Sequence, residues 1–288
     1  MTQVPTLQVG CPMWAHRPWV GRHLPAGTRV GRELAAYSSV FNAVEGNTTF
    51  YASPTPSTIA KWAEQAQPGF RFVFKVPKRI THDQRLRDVH GELDVFCSLL
   101  EPLGELVGGL TLQLPPSFGP SDLDALDRVL GRASDAHRWS VEPRHPEFFR
   151  GGGRRMFDEL LARHGAERVL LDTEPLFAQP PITDAGREEC QQKPQLATIT
   201  EPLTGHPIVR CIGNDDPEVT EAGLQRWEPV VARWLRDGRT PTFFVHTPTN
   251  LDTPALAQAF HAAVAMRVPG LAPLPRPLPV EQWPDRLF

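Results

Sequence analysis

The 288-residue chain is 40% apolar and 22% charged, ordinary globular values that exclude a disordered or fibrous protein and supply one sizeable core. A net charge of −3 offers no general attraction to a polyanion, because non-specific nucleic-acid affinity rests on clustered Lys and Arg releasing counterions. The start, Met1-Thr2-Gln3-Val4-Pro5, lacks a basic and apolar leader and no run of about 18 apolar residues occurs, so a cytoplasmic protein without membrane contact is expected.

Short β-like runs ending in a polar or charged residue recur along the chain. They are Leu7 to Cys11, Val40 to Glu45, Phe70 to Lys75, Leu110 to Gln113, Trp139 to Glu142, Val169 to Asp172, Ile208 to Arg210 and Phe243 to His246. Helix-period segments fill most of the gaps, near 28–39, 56–66, 86–103 and 154–164, with stripes at Leu123/Leu126/Val129/Leu130, Leu224/Trp227/Val231/Trp234/Leu235 and Leu256/Ala259/Phe260/Ala263/Val264. Thr55-Pro56 and Thr253-Pro254 place a capping hydroxyl before a first-turn proline, and Ser121-x-x-Asp124 resembles a capping box. Gly151-Gly152-Gly153 reads as a flexible connector. Eight strands alternating with helices predict an α/β fold, a single (β/α)8 TIM barrel over residues 1–268. Between 174 and 206 periodicity is poor, so the sixth helix is expected to be short or replaced by a loop. A Pro-rich C-terminal extension follows over 269–288, read as a strap or loose end.

Of the 31 prolines, Pro12, Pro77, Pro115, Pro116, Pro143, Pro175 and Pro248 come just after candidate strands, where they would end each strand sharply and stiffen the loops at the barrel mouth. Cys11, Cys97, Cys190 and Cys211 form no C-x-x-C pair and read as reduced thiols.

Strand parity locates a site. In Phe70-Arg71-Phe72-Val73-Phe74-Lys75 the phenylalanines share the helix-facing side, which leaves Val73 and Lys75 pointing inward. The same reading sends Glu45, Asn47, Gln113, Ser140, Glu142, Asp172, Arg210 and His246 inward, with Arg144 continuing the fifth strand's face. Three carboxylates (Glu45, Glu142, Asp172) and three cations (Lys75, Arg144, Arg210) thus converge in a fold whose interior is normally packed with branched aliphatics. Each buried ion loses several kcal/mol of hydration unless it is paired, so a ligand site at the strand ends is favoured over a purely structural network. Incomplete pairing in such a site would let Glu142→Gln keep or raise thermal stability.

Several stretches together resemble the YecE-like family, TIM-barrel proteins classed as a domain of unknown function. They are Val44-Glu45-x-Asn47-x-Thr49-Phe50-Tyr51, Phe70-x-Phe72-x-x-Lys75 with Thr81-His82, Leu112-Gln113-Leu114-Pro115-Pro116-Ser117-Phe118, and Val141-Glu142-x-Arg144-His145-Pro146. The resemblance covers roughly residues 7 to 265 and implies the fold and a shared polar pocket, without an activity. Departures fall at Cys11-Pro12-Met13-Trp14, where the family usually has a Ser-Gly-Trp type turn, at Ile212, where a histidine is usual, and at His246-Thr247, where a pair of asparagines is common.

The expected function is an enzyme of hydrolase, lyase or isomerase type acting on a small polar anion, phosphorylated or carboxylated and sugar-like. Glu45, Lys75, Glu142 and Asp172 are the candidate catalytic groups. Trp14, Asn47, Tyr51, His82, Gln113, Arg144, Arg210 and His246 are the candidate ligand-binding ones. A metal held by Glu45, His82, Glu142, Asp172 and His246 is less favoured, because three cations share the pocket, and no organic-cofactor motif is present. A two-carboxylate glycosidase built on Glu45 and Glu142 is weaker still. The rival class is a nucleic-acid-binding or nuclease-like barrel whose Arg85, Arg87, Arg154 and Arg155 track phosphates beside Trp14 and Tyr51, disfavoured by net charge.

Overall fold

Eight strands alternate with helices among the described residues, 4–133 and 135–276, of a computed structural model. The strands are β1 (Gln8–Gly10), β2 (Ala43–Gly46), β3 (Arg71–Lys75), β4 (Val107–Gln113), β5 (Trp139–Glu142), β6 (Glu167–Asp172), β7 (Ile208–Ile212) and β8 (Thr242–His246). All pair in parallel, in the order β1-β8-β7-β6-β5-β4-β3-β2. The helices are α1 (Glu33–Ser38), α2 (Thr48–Tyr51), α3 (Pro56–Gln65), α4 (His90–Leu100), α5 (Leu123–Leu130), α6 (Gly151–Arg163), α7 (Glu174–Phe177), α8 (Asp184–Gln192), α9 (Pro217–Arg236) and α10 (Thr253–Arg267). This is the (β/α)8 architecture expected from the alternation.

The β1–β2 seam is closed largely by side chains. Asn42 stands in for a strand residue: its Oδ1 accepts from the Val9 N–H at 2.8 Å and its Nδ2 donates to the Leu7 carbonyl at 2.9 Å. The Tyr37 hydroxyl accepts from the Cys11 N–H at 2.7 Å and donates to the Ala43 carbonyl at 3.0 Å. One backbone bond, from the Glu45 N–H to the Cys11 carbonyl at 3.1 Å, lies nearer the mouth. Gly10 permits this approach, since a Cβ there would stand 2.0 Å from the Ala43 carbonyl oxygen.

Inside the barrel, Ala43, Val73, Val169, Ile208 and Phe244 form a separate apolar plug. Outside it, the second face of the strands meets the helices: Phe72 and Phe74 stack with Trp62 of α3, and Trp227 of α9 and Phe260 of α10 pack on Phe243. The Thr55 hydroxyl caps α3 by accepting from the Thr58 N–H, as its sequence predicts.

Three local expectations are corrected. Asp252, not Thr253, occupies the cap of α10, and the Thr253 hydroxyl turns to Thr247 at 2.8 Å. Asp122 rather than Asp124 accepts a backbone N–H ahead of α5, from Gly119 at 3.1 Å, because a short 3₁₀ turn over Pro120–Asp122 shifts the start. Gly151-Gly152-Gly153 is the first turn of α6 and not a connector; a Cβ on Gly153 would stand 2.4 Å from the Glu147 carbonyl oxygen. The 174–206 segment holds two short helices, α7 and α8, followed by extended chain. Beyond α10 the Ala272 N–H donates to the Pro5 carbonyl at 3.0 Å, tying this part of the proline-rich extension to the chain leading into β1; residues 277–288 lie outside the described residues. No helix among the described residues is long and apolar enough to cross a membrane.

Candidate functional site

The inward face changes from apolar to charged toward the C-terminal strand ends. Two residues beyond Ala43 on β2 lies Glu45, two beyond Val73 on β3 lies Lys75, two beyond Ile208 on β7 lies Arg210, and two beyond Phe244 on β8 lies His246. A strand repeats its facing direction every second residue, so one apolar layer carries one charged layer directly above it. Over that layer opens a cavity of about 650 Å3, within the range of small-molecule sites.

Glu142 on β5 is the hub of the charged layer and is closed to solvent. Its Oε1 accepts from Arg144 Nε at 3.0 Å and lies 2.9 Å from Arg144 Nη2; its Oε2 accepts from Arg210 Nη1 at 2.9 Å and stands 3.9 Å from Lys75 Nζ. Burial pushes this carboxyl up, but Arg210, Lys75 and Arg144 together outweigh burial and hold it far below the usual carboxylate range. Glu45 faces Arg210 Nε at 2.5 Å, a close ion pair without an aligned hydrogen bond, and Lys75 Nζ at 3.6 Å. Its other oxygen accepts from Asn47 Nδ2 at 2.8 Å. Burial again opposes ionisation, and Arg210 with Lys75 brings the Glu45 carboxyl below its ordinary value. Both glutamates are therefore carboxylates at neutral pH.

Lys75 is held less firmly. Its ammonium donates to Gln113 Oε1 at 2.7 Å and is farther from both carboxylates than Arg210 is. Burial and the neighbouring Arg210 lower it to about 8, against the opposing pull of Glu45 and Glu142. This is the one cation in the layer that can lose its proton near neutral pH, since a guanidinium cannot.

Loops build the rim. The Asn47 amide also donates to the Pro12 carbonyl at 2.9 Å, tying the first loop to β2. Trp14 of that loop stands edge-on to Trp62 at 5.3 Å and forms one wall. The Thr49 hydroxyl reaches the Lys75 carbonyl at 2.6 Å and so holds α2, whose Tyr51 is 80% exposed at the lip. His82 lies beside Phe50; burial, Arg144 and Lys78 lower it to about 4, so it is neutral. From the 174–206 segment, α8 and the residue after it bring Gln192 and Lys193 to the opening. There Glu189 sits between Lys193 Nζ at 2.9 Å and the buried His246 Nδ1 at 3.6 Å. Burial, then Lys193, Arg210 and Lys75, hold His246 well below its ordinary value.

Trp14, Glu45, Asn47, Tyr51, Lys75, His82, Gln113, Arg144, Arg210 and His246 line one cavity. Glu142 lies behind its cations and does not line it. Asp172 is a correction to the convergence read from the strand ends. On β6 the inward face carries Val169, so Asp172, three residues on, turns outward. There it accepts from Trp227 Nε1 at 2.7 Å and from the Thr198 hydroxyl at 2.9 Å. Among the described residues no three His, Cys, Asp or Glu side chains are grouped to hold a metal ion. Lys78, Gln192 and Lys193 were not anticipated; the signal for the lysines is their rarity, since only Lys61, Lys75, Lys78 and Lys193 occur among 30 basic residues.

The family described as Protein of unknown function DUF72 matches residues 8–282. The chain belongs to the DUF72 family. This DUF72 chain is 34% identical over 271 residues to the UPF0759 protein YecE of Escherichia coli (strain K12), covering 93% of the chain and 96% of that relative. Two solved DUF72 proteins share its fold. One, from Thermotoga maritima, aligns with a TM-score of 0.68 at 20% identity, over 89% of this chain and 98% of its own. The other, from Enterococcus faecalis, aligns at 0.68 with 15% identity, over 90% and 95%. At such identities the likeness speaks to architecture alone.

Proposed function

We propose that the barrel mouth binds a small polar anion, phosphorylated or carboxylated and sugar-like, and performs acid/base or hydrolytic chemistry on it. The observation that carries this reading is the charge on the cavity wall. Lys75, Lys78, Arg144, Lys193 and Arg210 line it, against Glu45 as the one lining carboxylate. Arg144 and Arg210 present planar guanidinium groups suited to carboxylate or phosphate oxygens, and confinement at the bottom of a cleft strengthens the attraction. Glu142, behind the wall, orients Arg144 and Arg210. Proton transfer falls to Lys75 and Glu45, the two candidate catalytic groups that line the cavity.

Thermal melts with inorganic phosphate, pyruvate and dihydroxyacetone phosphate test the reading. A bound anion stabilises by roughly 2.7 kcal/mol at a hundredfold excess over its dissociation constant. The expected result is a saturable rise in Tm that Arg144→Met abolishes; no rise with any of the three would overturn it.

Three of the four arginines expected to serve the nucleic-acid alternative are engaged in ion pairs. Arg85 is tied to Ser117 and Asp122, Arg87 to Asp122, and Arg154 to Asp158 and Glu201. Gel shifts with single- and double-stranded oligonucleotides at two salt concentrations should show no retarded species, and retardation that weakens steeply with salt would revive that alternative.

A further inference from the structure

Only four of the 30 basic side chains are lysines, and the placement of those four is uneven. Lys61 is exposed on α3, whereas Lys75, Lys78 and Lys193 all line the mouth. Apart from Lys61, the chain away from the mouth carries its positive charge on arginine, even where the cation is buried, as at Arg168. For electrostatics alone a guanidinium serves as well as an ammonium. What it cannot do is shed its proton and present a lone pair. Lys75 is where that difference counts. The residue is 4% exposed and lines the cavity; its amine makes one short hydrogen bond, to Gln113, and stands off from two carboxylates at 3.6 and 3.9 Å.

We propose that Lys75 forms an imine with the carbonyl carbon of an aldehyde or ketone that also carries a carboxylate or phosphate group. The inference rests on the anion-binding reading above, which supplies Arg144, Lys78 and Lys193 to hold the charged end at the rim. In the step, the neutral amine's lone pair attacks the carbonyl carbon and the carbonyl oxygen takes a proton from solvent at the cavity mouth to give a carbinolamine. Glu45, 3.6 Å from Nζ, accepts the proton that nitrogen loses and returns it to the departing hydroxyl. Water leaves as the C=N bond forms, so amine, carbonyl and one proton from solvent give iminium and water with no oxidation or reduction. The iminium charge then sits where the ammonium sat, facing Glu45 and Glu142. With the amine lowered to about 8, roughly a tenth of it is neutral at pH 7, far more than for an ordinary lysine.

Borohydride trapping tests this on the intact chain with three probes: glyoxylate and pyruvate for the carboxylate class, dihydroxyacetone phosphate for the phosphate class. The expected product is one adduct per chain, heavier by the probe's mass less one oxygen and mapped to Lys75. It should form on the order of 10-fold or more faster than any adduct at exposed Lys61, because the cavity orients the carbonyl. The rate in the wild-type chain should rise with pH through about 8. Lys75→Arg keeps the charge and should remove the adduct, while Lys61→Arg, outside the cavity, should retain the Lys75 adduct. If Lys75→Arg fails to fold, site mapping and the pH profile of the wild-type chain decide alone. Labelling of Lys75 no faster than Lys61, or no Lys75 adduct with any probe, overturns the imine. If phosphate still raises Tm in an Arg144-dependent way, the anion reading survives that failure; if it does not, both fall.

Discussion

Arg210 Nη1 meets Glu142 Oε2 at 2.9 Å, joining β7 to β5 across the interior of the barrel with both side chains almost wholly closed to solvent. The same guanidinium turns its Nε edge to Glu45 on β2, so one cation ties two buried carboxylates that would otherwise repel. Both oxygens of Glu142 are therefore paired, in contrast to the incomplete pairing that the sequence alone suggested.

Glu142→Gln should accordingly be destabilising. It removes the charge that Arg210, Arg144 and Lys75 share, and breaking a buried pair by removing one partner costs about 3–5 kcal/mol. Burial raises the folded carboxyl, but the three cations outweigh it and leave the group well below its ordinary value of 4.5, so its stabilisation is fully present above that value and is lost as pH falls toward the folded one. Urea unfolding of the wild-type chain and the variant between pH 3 and pH 7, on the order of the unshifted carboxylate range, should show the two curves converging at the acid end. A variant as stable as the wild type at pH 7 would contradict the pairing.

Lys75 should behave in the opposite sense. Its folded value of about 8 lies below the ordinary 10.5, so the unfolded chain binds the proton more tightly between them. The cost of burying the ammonium is then full below about 8 and absent above 10.5, and stability relative to a Lys75→Met reference should rise with pH across that window. Paired urea titrations of the two chains check this; a pH-independent difference would mean that the amine is not depressed.

Asp172 should prove structural. Asp172→Ala leaves the buried Trp227 indole N–H without its acceptor, at about 1–3 kcal/mol. Phosphate titrations followed by calorimetry should give the wild-type affinity, because the carboxylate faces α9 and not the mouth. A large loss of phosphate affinity without a loss of stability would overturn that placement.

Tyr37→Phe tests the seam. Removing the hydroxyl strands the Cys11 N–H and the Ala43 carbonyl inside the β1–β2 junction, again about 1–3 kcal/mol. Hydrogen exchange should quicken at the Cys11 and Glu45 amides ahead of those on β4 to β6, since β1 and β2 share few backbone bonds of their own. Uniform exchange would show that the seam is not the weak joint.

The barrel was legible because its signal is local and repeated: eight apolar runs, each closed by a polar residue, with helix-period stripes between. Parity within a run is equally local, and it is enough to place Glu45, Lys75, Gln113, Arg210 and His246 on the inward face, where they line the mouth. Asp172 shows where that reading stops. A polar residue marks where a strand ends, but the face it takes depends on which neighbours fill the interior layer, and on β6 Val169 does.

From the residues alone came the fold class, the mouth as the place of charge and most of the side chains that gather there, because alternation along a strand is set by backbone geometry. Tertiary structure alone decided which charge meets which. Arg210 and Glu142 lie 68 positions apart in the chain, and nothing near either residue specifies that Arg210 binds both glutamates while Lys75 is left loosely held. It also decided that the aperiodic 174–206 segment brings Lys193 to the rim, so that three of the four lysines share one cavity. Pairings of that kind follow from packing across the barrel, where distance along the chain carries no information about distance in space.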